Sequence, residues 1–117
     1  DFRVYAGFVD NFAHNVLSGG DGCIGGLSNV VPEVCSGWVK AFADENLQEV
    51  KRIQMLINGL MEIYQVGTPF VPYIKAAVGQ RGLPVSCRAS FPFVTPSVED
   101  QKKIGAILEK YGIEKVQ

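Results

Sequence analysis

Histidine, closely spaced cysteines and basic runs are scarce in this 117-residue sequence, and each shortage excludes a class of function. His14 is the single histidine, and Cys23, Cys35 and Cys87 are widely spaced, with no Cys-x-x-Cys pair. This pattern argues against a metal site of the zinc type and favours reduced thiols in a cytosolic-type protein. The net charge is −1 at pH 7 without a basic run, which disfavours a nucleic-acid partner.

Long hydrophobic runs are also missing, since none approaches the roughly 18 residues that a membrane-spanning helix needs. The first residues, Asp1–Tyr5, contain neither an initiator Met nor a signal peptide. We therefore expect a cytoplasmic protein without membrane contacts, a mitochondrial location being the alternative, and a chain that begins within a larger fold. What is present, 47% hydrophobic and 20% charged residues, is typical of a globular domain.

The first 29 residues predict a strand, a helix and a second strand joined by short connections. Phe2–Ala6 is rich in β-branched and aromatic residues, and Cys23–Leu27 is apolar apart from its glycines. Asp10 is the predicted N-cap of the intervening helix, because its carboxylate can accept from the unpaired N–H groups of the first turn. Such a strand–helix–strand unit makes the two strands parallel neighbours.

Gly25 and Gly26 lie inside the second predicted strand, where glycine weakens strand pairing. Two interpretations stay open. The glycines serve close packing of an ordinary sheet strand, or they allow a ligand or another backbone to approach closely.

Helical periodicity dominates the rest of the chain. The predicted helices cover residues 32–44, 47–64 and 70–79, with a last helix that Thr95 caps, Pro96 begins and Gly112 ends. The apolar stripe of the second of these helices is formed by Val50, Ile53, Ile57 and Leu60. The inner face of the last helix is formed by Val98, Ile104, Ile107, Leu108 and Tyr111.

Two parallel strands cannot cover both of their own faces, and isolated two-stranded sheets are marginally stable in water. We therefore predict an α/β fold in which this chain is the C-terminal portion of a barrel rather than a complete domain.

Four segments carry a resemblance to a known family. They are Val4–Asp10, with the pattern Val-Tyr-x-Gly; Gly19–Gly26, followed by Asn29; Pro69–Ala77, with the pattern Pro-x-x-x-x-Lys-x-Ala; and Cys87–Ala89, followed by Pro92, Thr95 and Pro96. In this order, and over nearly the whole chain, they resemble the dihydrodipicolinate synthase / N-acetylneuraminate lyase family of pyruvate-handling class I aldolases. The last segment is most similar to 4-hydroxy-2-oxoglutarate aldolases and related 2-keto-3-deoxy sugar-acid aldolases.

The resemblance implies a (β/α)8 TIM barrel with a C-terminal helical extension. Residues 1–44 would be its last two β/α units, and residues 45–117 the extension. The implied function of the complete barrel is to cleave or form a C–C bond between pyruvate and an aldehyde or keto acid through a Schiff base on a lysine, without a cofactor. The catalytic lysine and its tyrosine proton relay would precede Asp1, so this chain alone would be inactive. Its partners would be the upstream part of the barrel and further copies in a homo-oligomer.

Carried over residue by residue, the resemblance assigns substrate contacts to Gly7, Asp10, Ile24 and Gly26. Gly7 matches a glycine whose backbone approaches the substrate, and Ile24 matches a residue whose carbonyl lines the lysine pocket. Asp10 matches an acidic residue that binds polyol hydroxyls, and its role as a helix cap is an equal alternative. Gly26 replaces the serine of the sialic acid lyases, and Val9 replaces their acidic residue. Both changes disfavour a long sugar tail.

The other chemically active side chains have structural interpretations. Lys75 lies in a predicted helix beyond the barrel, where nothing indicates the desolvated pocket of a Schiff-base lysine. His14 has no nucleophile around it in sequence, and Cys23 is predicted to be a small buried apolar residue. A second hypothesis for the whole chain is a truncated, non-enzymatic relative that acts as an assembly or binding module.

Overall fold

The computed structural model describes residues 1–116, and these form two compact units, 1–58 and 59–116. The strands are β1 (Tyr5–Gly7) and β2 (Gly22–Ile24). The helices are α1 (Phe12–Leu17), α2 (Leu27–Val30), α3 (Pro32–Ala43), α4 (Leu47–Leu60), α5 (Val71–Gln80) and α6 (Val98–Lys110), and 3₁₀ turns cover Val9–Asn11 and Met61–Gln65. The boundary predicted between residues 44 and 45 refers to a complete barrel and stays a prediction.

In the first unit, β1 and β2 are parallel neighbours, as the sequence predicts. Ala6 pairs with Cys23, and Gly7 pairs with Ile24, so both strands end at the same edge. Asn15 of α1 fixes the connection, because its Nδ2 donates to the carbonyl oxygens of Val4 at 3.1 Å and Gly22 at 2.5 Å. The crossover helix is thereby tied to both strands that it connects.

The second strand ends earlier than predicted. It stops at Ile24, and Leu27 already belongs to α2, where its side chain is fully buried. Gly25 and Gly26 therefore follow the strand and do not interrupt it. The run of apolar and glycine residues alone could not distinguish a longer buried strand from a strand followed by a short buried helix.

Aromatic packing holds the helices of the first unit together. The ring of Phe12 on α1 lies 4.9 Å from the ring of Trp38 and 5.3 Å from that of Phe42, measured between centroids. Trp38 is almost completely buried on α3. Helix α3 begins at Pro32, as predicted, because the missing N–H of proline has no partner to lose in a first turn.

Helix α4 buries the predicted stripe at three of its four positions. Ile53, Ile57 and Leu60 are at most 1% exposed, whereas Val50 is half-buried. The α-helix ends at Leu60, four residues before the predicted end at position 64, and tightens into the 3₁₀ turn from Met61.

In the second unit, α5 packs against α6. The cap of α6 is Ser97 and not Thr95: its Oγ accepts from the N–H of Asp100 at 3.1 Å, and the Asp100 carboxylate accepts from the N–H of Ser97 at 3.2 Å. This reciprocal capping box satisfies two helix-end donors at once, which a Thr-Pro pair cannot do. At the other end, Gly112 adopts a φ of 65° and closes the helix as predicted.

The predicted inner face of α6 is wrong at its first residue. Ile104 and Leu108 are buried, and Ile107 and Tyr111 are half-buried, but Val98 is 70% exposed. Val98 precedes Ile104 by six residues, which rotates it by about 120° around the helix axis at about 100° per residue.

Candidate functional site

The carboxyl ends of β1 and β2 form one edge. In a TIM barrel, the fold predicted from the sequence, the carboxyl ends of the strands carry the active site. Gly7 is the last residue of β1, and Ile24 is the last residue of β2, directly opposite. Ile24 is 73% exposed, and a Cβ added at Gly7 would meet nothing within 4 Å. The two predicted contact residues are thus brought together at one edge.

A turn of unusual backbone geometry follows β1. We call residues 7–11 the strand-end turn. Phe8 adopts a φ of 57° with a ψ of 129°, a conformation that costs a non-glycine residue on the order of 1–3 kcal/mol. Such strain persists only where the surroundings impose it, and it is concentrated at functional sites.

The strand-end turn is held from within and by β2. The N–H of Asn11 and the thiol of Cys23 both donate to the carbonyl oxygen of Phe8, at 3.2 Å and 3.0 Å. The amide of Asn11 also donates to the carbonyl oxygen of Gly7 at 3.1 Å. Cys23 is therefore a hydrogen-bond donor that ties the end of β2 to the turn, a role that its sequence context does not reveal.

Close packing explains why the first of the two residues after β2, Gly25, is a glycine. A Cβ there would lie 2.4 Å from Cγ2 of Val9, 2.8 Å from the backbone nitrogen of Val9 and 3.3 Å from the carbonyl carbon of Phe8. The chain segment after β2 thus presses against the strand-end turn. This confirms the interpretation of close backbone approach, with the turn as the approaching group.

Asp10 is not the cap of α1. It lies inside the 3₁₀ turn, and Asn11 takes the capping position, although its side chain accepts no hydrogen bond from the N–H groups of α1. Its Oδ1 is buried and has no hydrogen-bond partner among residues 1–116. A buried carboxylate oxygen without a partner is costly, so Asp10, next to the end of β1, is a candidate functional residue.

Gln54 on α4 was missed by the sequence analysis. Its Nε2 donates to the backbone carbonyl oxygen of Asp10 at 3.0 Å and to Oδ1 of Asn58 at 2.8 Å. No local pattern identifies it, because its partner lies 44 positions earlier in the sequence.

Gly26 lies just beyond this arrangement, at the position that precedes α2. Its carbonyl oxygen accepts from the N–H and the side-chain amide of Asn29, at 3.0 Å and 3.2 Å. Its predicted contact with substrate stays a prediction, as do those of Gly7, Asp10 and Ile24.

A cavity of about 290 Å³ lies in the first unit and is lined by Cys23, Cys35, Trp38 and Phe12 among others. Burial, followed by the charge of Asp10, raises the pKa of Cys23. Burial, with smaller effects of Cys23 and Glu33, raises the pKa of Cys35 to about 11. Both thiols keep their protons at neutral pH, which disfavours a nucleophilic role because the thiolate is the reactive form.

No lysine among residues 1–116 belongs to a strand. All seven are exposed, and they are Lys40, Lys51, Lys75, Lys102, Lys103, Lys110 and Lys115. Carboxylate partners raise the pKa of Lys103 and of Lys110, opposite to the lowered pKa that a lysine nucleophile needs. Lys75 donates to the carbonyl oxygen of Arg88 at 2.7 Å, which fits the structural role expected of it.

Residues 1–116 lack two features. No group of three metal-binding side chains lies close enough to hold an ion. Within the same residues, no helix has the length and apolar character needed to cross a bilayer.

Comparison with known proteins gives concordant matches. The sequence profile of the Dihydrodipicolinate synthetase family matches residues 1–111. A probable 2-dehydro-3-deoxy-D-pentonate aldolase from Escherichia coli K12 is 32% identical over 112 residues, which are 96% of this chain and 37% of that protein. A putative 2-dehydro-3-deoxy-D-gluconate aldolase from the same organism is 33% identical over 101 residues, which are 86% of this chain and 33% of that protein.

A solved structure agrees with this fold. It is a prophage protein of the dihydrodipicolinic acid synthase family from Escherichia coli K12, in complex with pyruvate, and it matches with a TM-score of 0.91 at 28% identity. The match covers 96% of this chain and 38% of that protein. The chain thus spans little more than a third of the length of these relatives.

Proposed function

The chain belongs to the dihydrodipicolinate synthetase family, and on that premise we propose that it forms the last two β/α units and the helical extension of a Schiff-base aldolase or lyase. The complete barrel would form or cleave a C–C bond between pyruvate and an aldehyde. The observation that carries the proposal is the match, over 96% of this chain, to a family structure that holds pyruvate. Two parallel strands that end at one edge agree with a position late in the barrel.

The chemistry of such an enzyme depends on a lysine that this chain does not supply. An iminium formed between a lysine and pyruvate withdraws electrons, so the adjacent carbanion becomes accessible without a metal. Every lysine here is exposed and belongs to a helix or follows α6. Tyr64 and Tyr73 also come after both strands in the sequence. We therefore assign the catalytic lysine and its proton relay to the upstream part of the barrel.

We assign this chain the wall that contacts the second substrate. Gly7 and Ile24 end the two strands at one edge, and Asp10 follows in the strand-end turn with a buried Oδ1 that lacks a partner within residues 1–116. Asp10 is half-buried as a residue, and we assign its carboxylate a hydrogen bond from a hydroxyl group of the substrate. Val9 and Gly26 offer no polar side chain, so the proposed substrates are 2-keto-3-deoxy sugar acids with short tails, in line with the names of two relatives.

The test is to trap the Schiff base. The 117-residue chain and a longer protein that includes the upstream strands are each treated with pyruvate and borohydride and then weighed by mass spectrometry. We expect a pyruvyl adduct on one lysine of the longer protein and none on the short chain. An adduct on a lysine of the short chain would show that the active site is misplaced, and no adduct on either would refute the Schiff-base mechanism.

The alternative of a non-enzymatic assembly or binding module has no support in the comparisons. The homo-oligomeric state and the cytoplasmic location expected from the sequence remain predictions.

A further inference from the structure

We infer that Gln54 is a positioning residue, which holds the strand-end turn so that Asp10 meets the second substrate in the right place. The inference rests on the proposed function, because it takes Asp10 to contact the aldehyde portion of the substrate. Its basis is the hydrogen bond from Nε2 of Gln54 to the carbonyl oxygen of Asp10, at 3.0 Å in a half-buried setting.

The strand-end turn needs support from outside itself. The left-handed φ of Phe8 is strained, and a strained backbone keeps its geometry only where several contacts impose it. Asn11 supplies contacts from within the turn, and Cys23 supplies one from β2. Gln54 adds a contact from a third element, α4, and it is the contact made to the residue that bears the free carboxylate oxygen.

Gln54 is itself fixed in orientation. Its amide nitrogen also donates to Oδ1 of Asn58, one helical turn further along α4, at 2.8 Å. Both hydrogens of the amide group are thereby used, and the side chain is half-buried. A side chain locked in this way holds its acceptor more precisely than a free one, which is what a contact supporting a binding group requires.

The expected consequence is selective. The hydrogen bond from Gln54 holds the backbone of Asp10. Its loss would displace the Asp10 carboxylate, which we assign to binding the aldehyde portion of the substrate. Small displacements of a substrate-contacting group reduce the rate strongly, because the reacting atoms must be held in a narrow range of geometry. Formation of the Schiff base with pyruvate, which uses upstream residues, should continue unchanged.

The experiment uses the longer protein that includes the upstream strands. Gln54→Met removes the donors at nearly constant side-chain length, and Gln48→Met makes the same change at an exposed position of α4. For each variant, kcat and KM are measured for cleavage of 2-dehydro-3-deoxy-D-gluconate, and borohydride trapping is measured with pyruvate alone. We expect kcat/KM for cleavage to fall about tenfold in Gln54→Met, as for the loss of one hydrogen bond of typical strength. Trapping should stay at the wild-type rate, and Gln48→Met should match the wild type in both assays.

A third variant separates positioning from stability. Gln54→His, assayed at pH 8, restores an uncharged N–H donor of similar reach, so cleavage should recover to within about threefold of the wild type, a fraction of one such hydrogen bond. Equal loss of cleavage and trapping in Gln54→Met, or cleavage as fast as in Gln48→Met, would overturn the inference. A wild-type protein that traps no pyruvate would instead refute the proposed function.

Discussion

The contact between Gly25 and the strand-end turn makes a sharp prediction for the substitution Gly25→Ala. The new methyl group would lie 2.4 Å from Cγ2 of Val9 and 2.8 Å from the backbone nitrogen of the same residue. The first distance can be relieved by rotating a side chain. The second cannot, because it requires the turn and the segment after β2 to move apart.

The expected cost follows from this division. Forcing one carbon into a packed site destabilises proteins by about 1–3 kcal/mol. Gly25 does not have a positive φ, so no strain of its own backbone is added. Gly25→Ala should therefore lower the free energy of unfolding by about 1–3 kcal/mol, and adding Val9→Ala should recover only part of that loss because the backbone contact remains.

The assay is urea denaturation of the longer protein, and Gly37→Ala provides the control. Gly37 lies within α3, and an added Cβ would meet only Cδ1 of Ile53 at 3.8 Å, an ordinary contact distance. Alanine in a helix is better than glycine by about 0.8–1.0 kcal/mol, so the control should be neutral or stabilising. If Gly25→Ala proved as stable as the wild type, or if Val9→Ala restored stability fully, the close backbone approach would be refuted.

Two further predictions concern buried groups. Ile57 is fully buried on α4, so Ile57→Ala should destabilise the longer protein by about 2–5 kcal/mol in urea denaturation, and a change near zero would contradict its place in the core. Cys35 has a pKa raised from the ordinary 9.0 to about 11, so the folded protein binds its proton more tightly than the unfolded chain does. The contribution of Cys35 to the free energy of unfolding should therefore be complete below pH 9 and be lost as the pH rises from 9 towards 11. The rate of alkylation of Cys35 by iodoacetamide should rise over the same range. An alkylation midpoint near pH 9 in the folded protein would contradict the raised pKa.

The sequence predicted the elements whose signals are local and repeated. The parallel pair β1–β2 followed from a strand–helix–strand order with short connections, and the stripe of α4 followed from its alternating spacing of apolar residues. It was less reliable where two local signals compete. Thr95-Pro96 and Ser97-x-x-Asp100 both mark helix starts, and the capping box prevailed because it satisfies two donors.

The candidate site was predicted only in part, for a physical reason. Gly7 and Ile24 could be placed together because the ends of parallel strands meet at one edge. The support from Gln54 and the strained φ of Phe8 depend on contacts between residues far apart in the chain, and no periodicity or spacing encodes them. The assignment of Asp10 as a helix cap was wrong because a carboxylate before a helix is a common cap signal, whereas its burial is a tertiary property.

The left-handed backbone of Phe8 also bears on how this protein would change under selection for heat resistance. Glycine adopts such angles without strain, so a Phe8→Gly substitution would release backbone strain on the order of 1–3 kcal/mol, against roughly 0.5–1 kcal/mol for the conformational freedom of glycine and the packing of the partly covered phenyl ring. A laboratory population screened only for survival at high temperature would take up glycine here if the released strain exceeds these two costs. The same substitution would loosen the segment that carries Asp10, so substrate selectivity would drift unless activity were screened together with stability.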